Sequence, residues 1–335
     1  MRAIGAVSSA WIPAALVIAT LLALLTPARP WADQAPVVSA HPTVAVIDID
    51  GVINPAAADF IGDALTQASA RGASALVIEL DTPGGLLTSA QTIVKTLLNA
   101  PLPVIVYVAP AGASAASAGT FVTEAANIAA MAPGTTIGAA HPVEASGGDV
   151  QGEMGTKVEN FTAAWAKTIA EQRGRNQEWV EQAVRKSVSI SAGEALKLHV
   201  IDLVAPDLPN LLRQASGRTV TVAGGRSIKL ELTGAAIERS EMNLGESVLN
   251  RLADPNLMYL LMIAGIIGIY LEFAHPGAYL PGVAGGICLL LALASFQVIP
   301  INLAGLALIL FGAVMIMTEL FITSYGVLGL GGMFA

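Results

Sequence analysis

Short aliphatic runs alternate with longer mixed segments through the first half of the chain. The aliphatic, β-branched runs predict strands at 43–49, 75–80 and 104–108. The segments after them predict helices at 56–71, 86–98 and 116–126. Two amphipathic stretches, 161–173 and 177–186, predict further helices, and 219–222 with 229–232 predict a hairpin. Buried strands alternating with helices are typical of a layered α/β domain, which we place at residues 33–250.

The pattern changes after Asp254 and Pro255. Three apolar runs, at 257–273, 283–298 and 303–321, are each close to the ~20 residues that cross a bilayer. No Lys or Arg follows Arg251. We therefore predict a transmembrane region of about three spans at 255–335. The Gly-rich end at 326–335 resembles the start of a further span, as expected of a truncated form.

The N-terminal segment has the features of an export signal. Arg2 precedes an apolar stretch that ends near Leu25, and Pro27 and Pro30 follow. This pattern predicts a secretory signal peptide or an uncleaved anchor at residues 1–32. In either case the next domain lies on the extracytoplasmic side of the cytoplasmic membrane.

Composition narrows the classes of function. Of the 335 residues, 13 % are charged and 54 % are apolar, which is typical of a membrane protein. The net charge of −8 argues against a nucleic-acid partner, which needs a basic face. A single cysteine, Cys288, allows no intrachain disulfide. His199 and His275 have no carboxylate or second histidine at ligand spacing, so we predict no metal and no cofactor.

Two of the predicted strands end in unusual segments. The second runs into DTPGG at 81–85, and the third is followed by GASAASAGT at 112–120. Ligand sites of α/β sheets lie beyond the carboxyl ends of the strands. Gly84 and Gly85 allow a close backbone approach, and Ser117 begins a helix whose N–H groups could stabilise an oxyanion. The alternative is a simple turn followed by a serine that caps the helix.

These two segments, together with MAPGTTIGAAHP at 131–142 and KVENFTAAWAKTIAEQRGRN at 157–176, resemble the NfeD family of membrane-bound, ClpP-class serine proteases. The resemblance covers about residues 43–331. It implies a ClpP/crotonase-like fold and a Ser–Lys dyad, with Ser117 as nucleophile and Lys157 as general base. It also implies that Gly85 and the N–H of Ala118 form the oxyanion hole.

The same resemblance implies a partner and an assembly. Substrates or partners are expected among stomatin-like or prohibitin-like membrane proteins, and the chain is expected to form a homodimer or a larger homo-oligomer. The resemblance implies that full-length family members carry another span and a C-terminal OB-like barrel, so we expect this sequence to represent a truncated form.

A lysine accepts a proton only when it is neutral, and removal from water favours the neutral form. The Gly-rich segment 147–155 before Lys157 predicts a flexible loop. We therefore expect the lysine to lose its water when this loop orders or when a dimer forms.

Other readings of the same residues stay open. A catalytic triad would pair His141 with Asp202 or Asp81, and Ser114 is the alternative nucleophile. A crotonase-like acyl-CoA enzyme would share the Gly-rich turn, but it needs basic residues for the CoA phosphates and a cytoplasmic location. A non-catalytic scaffold for a membrane partner is the third possibility.

The segments around the proposed site are poor in charge. We predict that three of their residues contact the substrate: Gly84 in the glycine turn, Leu86 directly after it, and Ile137 further along. Apolar walls cannot pair a charged side chain, and burying an unpaired charge is unfavourable. We therefore predict cleavage within apolar stretches of membrane-associated proteins.

Overall fold

The computed structural model describes residues 42–143, 148, 150–242, 244–252, 255–274, 280–296 and 312. The chain separates into two compact units, Met1–Ala40 and His41–Ala335, and every described residue belongs to the second. The predicted export signal therefore lies outside the described residues. The third predicted span, at 303–321, does so too except for position 312.

Short strands and longer helices follow one another along the described chain, as the pattern predicts. The strands are β1 (Thr43–Asp50), β2 (Ala75–Asp81), β3 (Val104–Val108), β4 (Ser114–Ala116), β5 (Ile128–Met131), β6 (Thr136–Gly138), β7 (Ser189–Ser191), β8 (Leu203–Val204), β9 (Thr219–Val222), β10 (Arg226–Lys229) and β11 (Ala236–Ser240). The helices are α1 (Pro55–Ala70), α2 (Leu87–Leu98), α3 (Ala118–Ala125), α4 (Gly152–Arg173), α5 (Gln177–Arg185), α6 (Ala192–Lys197), α7 (Leu208–Ala215), α8 (Leu244–Leu252), α9 (Pro255–Ala274) and α10 (Leu280–Phe296).

The main sheet has six parallel strands in the order β11-β1-β2-β3-β5-β8. Strand β3 is buried along its whole length because helices or loops cover both faces of the sheet. Alternate residues point to two separate cores. Ile47 and Ile78 pack with the helices on one face, whereas Val46 and Val77 pack with α7 on the other. The predicted α/β class is confirmed.

A second, three-stranded sheet lies beside the first and carries the proposed site. Strand β6 is its centre, parallel to β4 and antiparallel to β7. A bridge between Thr82 and Ala115 joins this sheet to the end of β2. The strands are only three residues long and rich in small side chains, so the apolar pattern did not reveal them.

Side-chain caps define several helix starts. Asn54 accepts a hydrogen bond from the N–H of Ala57, and Pro55 occupies the first turn of α1. Ser191 and Glu194 form a capping box at α6. The Asn54 cap and Pro55 explain why α1 begins within one residue of its predicted start.

Helix α4 corrects one expectation. It begins at Gly152, nine residues before the predicted start at Phe161, so Lys157 lies inside the helix rather than before it. The glycines of this segment suggested a loop. In the structure Gly155 instead admits the carbonyl of Val150, because a Cβ at position 155 would lie 1.8 Å from that oxygen. Here glycine permits a close approach without ending the helix.

The C-terminal described region is helical and apolar. Within the described residues, one helix, Asn256–Ala274, is long and apolar enough to cross a membrane, with a mean hydropathy of 2.0. A shorter apolar helix follows at Leu280–Leu293. Gly268 lets the backbones of α9 and α10 approach each other, because a Cβ at position 268 would lie 2.6 Å from the carbonyl oxygen of Pro281. Small residues at such crossings are usual for membrane helices.

Candidate active site

Ser117 occupies the sharp turn between β4 and α3. Its φ angle is +51°, a region that non-glycine residues rarely adopt and that stores strain. It stands at the N-cap position, yet its side chain makes no capping hydrogen bond. The residue is half-buried. Its hydroxyl is therefore not used to stabilise the helix, and the simple capping interpretation does not describe this serine.

The strained turn is held by a buried threonine and by β6. The Ser117 N–H donates to the carbonyl of Gly138 over 2.9 Å. Thr120, which is fully buried, lies with its Oγ1 3.0 Å from the carbonyl oxygens of both Ala115 and Gly138. This clamp joins the first turn of α3 to both neighbouring strands. Sequence reasoning did not assign roles to Thr120 or Gly138.

The glycine turn after β2 packs directly against this serine. Gly84 has a φ angle of +127°, and a Cβ there would lie 2.6 Å from the Cβ of Ser117. Gly85 has a φ angle of +156°, and a Cβ there would lie 2.1 Å from the carbonyl oxygen of Ile53. Both positions require glycine, for its backbone conformation and for its lack of a side chain.

Two backbone donors lie beside Ser117. Ala118 is the first residue of α3, where helix N–H groups have no intrahelical acceptor. Gly85 forms its bridge to Ile53 through its neighbours Gly84 and Leu86, which leaves its own N–H out of the pairing. In the described part of the chain, neither the Gly85 N–H nor the Ala118 N–H has a hydrogen-bond acceptor. Such a pair of donors suits a developing oxyanion.

In this structure Lys157 makes no hydrogen bond to Ser117. It lies on the exposed side of the second turn of α4. Among the described residues it has no hydrogen bond and no ion pair. Its helix does contact α3, because Trp165 of α4 packs in a tilted arrangement against Phe121 of α3, with ring centroids 4.9 Å apart.

The predicted substrate contacts separate into two kinds. Leu86 is partly exposed and lies at the start of α2, next to the glycine turn. Ile137 is only 1 % exposed and belongs to the core, because β6 is the central strand of the small sheet. In this conformation Ile137 supports the site from behind and offers no surface to a substrate.

The residues of the alternative triad have other partners. Asp81 accepts a hydrogen bond from the Ser114 N–H, and Asp202 accepts from the Ala129 N–H and from Arg175. The His141 Nδ1, the atom that an orienting carboxylate would hold, lies 2.9 Å from the carbonyl oxygen of Val184. The Ser114 hydroxyl donates to the carbonyl of Thr82 over 3.1 Å.

The far end of α3 is charged. Arg175 donates to the carbonyls of Glu124 and Ala126 and forms a 2.6 Å ion pair with Asp202. Arg173 donates to the carbonyl of Ala125 over 2.8 Å, and burial lowers its pKa to about 10. Sequence reasoning missed these roles, although both arginines lie in the segment EQRGRN that helped to reveal the family resemblance.

Glu124 is a buried carboxyl at this same end. Burial raises its pKa to about 8, against a smaller opposing effect of Arg175. Within the described residues, neither of its side-chain oxygens has a hydrogen-bond partner. The carboxyl is therefore largely neutral at pH 7.

A surface depression of about 420 Å³ also lies at the charged end. It is lined by Asn127, Ile128, Gln172, Arg173, Asp202, Arg218, Thr219, Val220 and Thr221. Its Arg173 is already engaged with the carbonyls of Leu97 and Ala125. None of the lining residues belongs to the glycine turn, to β4 or to the start of α3, so the depression does not form part of the candidate active site.

Comparison with known proteins agrees with this organisation. The family model described as NfeD1b, N-terminal domain, matches residues 43–209, and the NfeD integral membrane domain matches residues 256–335. The membrane-bound protease PH1510 of Pyrococcus horikoshii is 34 % identical over 293 residues, 87 % of this chain. The chain spans 66 % of that relative's length.

Solved structures extend the comparison to the fold. The 1510-N membrane-bound stomatin-specific protease, in a lysine-to-alanine variant with a substrate peptide, aligns with a TM-score of 0.60 and 34 % identity. That alignment covers 64 % of this chain and 98 % of the other. A serine-to-alanine variant of the same protease aligns with a TM-score of 0.58 and 35 % identity, covering 61 % and 100 %. The soluble domain therefore has the fold of that protease, the C-terminal region is a membrane domain, and the chain belongs to the NfeD family.

Proposed function

We propose that this chain is a membrane-bound serine endopeptidase in which Ser117 is the nucleophile and Lys157 the general base. The observation that carries the proposal is the Ser117 turn. A half-buried hydroxyl that caps nothing stands beside the N–H groups of Gly85 and Ala118. A serine on a strained strand-to-helix turn is the arrangement that other serine hydrolases use to present a nucleophile.

The chemistry follows from this arrangement. Ser117 Oγ attacks the scissile carbonyl carbon while Lys157, in its neutral form, takes the hydroxyl proton. The carbonyl oxygen becomes an oxyanion, which the N–H groups of Gly85 and Ala118 stabilise. The proton then passes to the leaving amine, and water hydrolyses the acyl-enzyme. Removing one such oxyanion donor typically lowers kcat by about 10²–10³-fold.

The exposed position of Lys157 requires a further step. Lys157 must form a hydrogen bond with Ser117 and lose water before it can act as a base. A bound peptide or a second copy of the chain, lying over the first turns of α4, would bring this about. The relative's solved forms include a serine variant and a lysine variant, the latter with a substrate peptide, which supports a serine and a lysine as the essential pair.

The substrate is proposed from the relative and from the site. The solved relative is described as stomatin-specific. We therefore propose a stomatin-like or prohibitin-like membrane protein, cut within an apolar stretch. Leu86 is the partly exposed apolar residue next to the glycine turn. We further propose a multi-pass protein of the cytoplasmic membrane with its protease domain on the extracytoplasmic side.

The test uses the full chain in detergent or liposomes. We expect a fluorophosphonate probe to label Ser117 and apolar stomatin-derived peptides to be cleaved. Ser117→Ala should abolish both reactions, and Lys157→Ala and Lys157→Arg should abolish cleavage, because arginine keeps the charge but does not become neutral. The exposed residues Ser227 and Lys186 provide matched controls, Ser227→Ala and Lys186→Ala, which should keep full activity.

Each contrary result points elsewhere. Normal cleavage by Lys157→Ala together with loss in His141→Ala would replace the dyad with a triad. Specific retention of a stomatin-like protein without labelling or cleavage would favour the scaffold, and coenzyme A binding would favour the acyl-CoA enzyme.

A further inference from the structure

The side chain of Thr82 forms hydrogen bonds within the glycine turn at 82–85. The residue is fully buried and follows the last residue of β2. Its Oγ1 accepts a hydrogen bond from the Gly84 N–H and donates one to the Gly84 carbonyl, both over 3.0 Å. A threonine hydroxyl that bonds two residues ahead fixes a local turn. The Thr82 hydroxyl therefore helps to fix the segment that carries Gly85, together with the bridge to Ile53.

The backbone of Thr82 is bound to the strand that leads to the nucleophile. Its N–H donates to the carbonyl of Ser114 over 2.7 Å, and its carbonyl accepts from the Ala116 N–H over 3.1 Å. Ala116 directly precedes Ser117. The same residue thus holds the glycine turn with its side chain and β4 with its main chain.

The methyl group of Thr82 contacts the nucleophile helix. A Cβ built on Gly119 would lie 2.5 Å from Thr82 Cγ2, while its next neighbours would be 3.5 Å and 3.8 Å away. Gly119 is the second residue of α3, next to Ala118. Thr82 therefore touches each of the three segments that supply Gly85, Ser117 and Ala118.

We propose that Thr82 is a positioning residue that sets the distance between the Gly85 and Ala118 N–H groups. This inference rests on the proposed function. It predicts that Thr82 acts on the transition state, in which the oxyanion exists, and leaves binding of the uncleaved peptide unchanged.

A pair of near-isosteric variants separates the two roles of the side chain. Thr82→Val keeps the shape and removes the hydroxyl, and Thr82→Ser keeps the hydroxyl and removes the methyl. We expect Thr82→Val to lower kcat by about 10²-fold with little change in KM, and Thr82→Ser to retain most of the kcat. In a Ser117→Ala background, Thr82→Val should bind the substrate peptide as tightly as its parent.

A second experiment does not depend on the folding of Thr82→Val. Gly119→Ala should lower kcat because its new methyl meets the Thr82 methyl. Adding Thr82→Ser removes the obstructing methyl, so the double variant should regain much of the lost kcat. Gly193 of α6 is the matched control position, because a Cβ added there would meet nothing within 4 Å. Gly193→Ala should therefore keep the wild-type kcat.

The outcomes separate this inference from the proposed function. A wild-type chain that is neither labelled nor active would contradict the proposed protease. An active wild type with unchanged kcat in folded Thr82→Val, or in Gly119→Ala, would overturn the role of Thr82 alone. Equal loss in Gly119→Ala and in the double variant would also overturn it.

Discussion

The two ends of helix α3 differ in how their backbone groups are satisfied. At the N-terminal end, the Ala118 N–H has no acceptor in the described structure. At the C-terminal end, three consecutive carbonyls accept hydrogen bonds from arginines. The first end is shaped by glycines and by backbone contacts around Ser117. The second is shaped by the side chains of Arg173 and Arg175. One short helix thus leaves a backbone donor open beside Ser117 and satisfies its acceptors within the protein.

This contrast has a simple electrostatic basis. A helix carries partial positive charge at its N-terminus and partial negative charge at its C-terminus. Cations at the C-terminal end stabilise the folded chain. An N-terminal end whose N–H groups have no acceptor can stabilise a negative charge that develops during a reaction. We therefore expect substitutions at the C-terminal end to change stability and those at the N-terminal end to change activity.

Arg175→Met tests the charged end and should have the largest effect. It leaves Asp202 without its cation and two backbone carbonyls without a donor. Removing one partner of a buried ion pair typically lowers the free energy of unfolding by about 3–5 kcal/mol, and the 30 % exposure of the Asp202 side chain should keep the loss near the lower end of this range. Denaturant unfolding measures the change. Arg71→Met, which removes an exposed 3.7 Å ion pair with Glu238, should change stability by less than about 1 kcal/mol.

Gly84→Ala tests the other end. The new Cβ would lie 2.6 Å from the Cβ of Ser117, so Ser117, the proposed nucleophile, must shift. Displacement of a reacting group by about 1 Å can lower the rate by about 10²-fold. Cleavage of a stomatin-derived peptide measures the loss.

Gly51→Ala is the matched control for Gly84→Ala. Its φ angle is similar, +114°, and its added Cβ would meet nothing within 4 Å. Both variants should lose stability through backbone strain, on the order of 1–3 kcal/mol, but only Gly84→Ala should lose most of its activity. Equal losses of activity would show that strain, rather than contact with Ser117, controls this end.

Glu124→Gln should alter the pH dependence of stability. The folded pKa of about 8 lies above the ordinary value of 4.5, because burial favours the neutral acid. Between these values unfolding releases a proton, so the wild type loses stability as the pH rises from about 5 to about 8. The slope is at most about 1.4 kcal/mol per pH unit.

Glutamine removes this titration, so the free energy of unfolding of Glu124→Gln should change less with pH than that of the wild type. The variant should therefore gain stability relative to the wild type at alkaline pH. Thermal unfolding at several pH values makes the comparison. The exposed control Glu231→Gln should keep the wild-type slope. A wild-type slope in Glu124→Gln would show that Glu124 is ionised in the folded chain.

The smallest effects compare two helix starts. Asn54→Ala removes a capping hydrogen bond from α1 and should lower the free energy of unfolding by about 1 kcal/mol. Ser117 makes no such bond, so Ser117→Ala should change it by less than about 0.5 kcal/mol. A loss in Ser117→Ala as large as that in Asn54→Ala would mean that the hydroxyl supports α3 after all.

Local patterns in the sequence were enough to predict the α/β class, the first three strands and their helices. Each of these elements carries its own period of apolar residues, and α1 is bounded by the cap residue Asn54 and by Gly72. The apolar stretch that forms α9 was predictable for the same reason. The small sheet was not, because strands of three small residues have no period to recognise.

The candidate site divides in the same way. The candidates Ser117, Gly84 and Gly85 were recognisable in the sequence, because glycine suits a close backbone approach and a serine among small residues suits the proposed nucleophile turn. The burial of Ile137, the exposure of Lys157 and the early start of α4 depend on contacts between distant segments. The position of Thr82 between the glycine turn and β4 depends on such contacts too, and so does the position of the arginines that cap the far end of α3. The sequence by itself determined which residues have the required chemistry. Only the tertiary structure decided which of them meet, since it depends on packing between segments that are far apart in the chain.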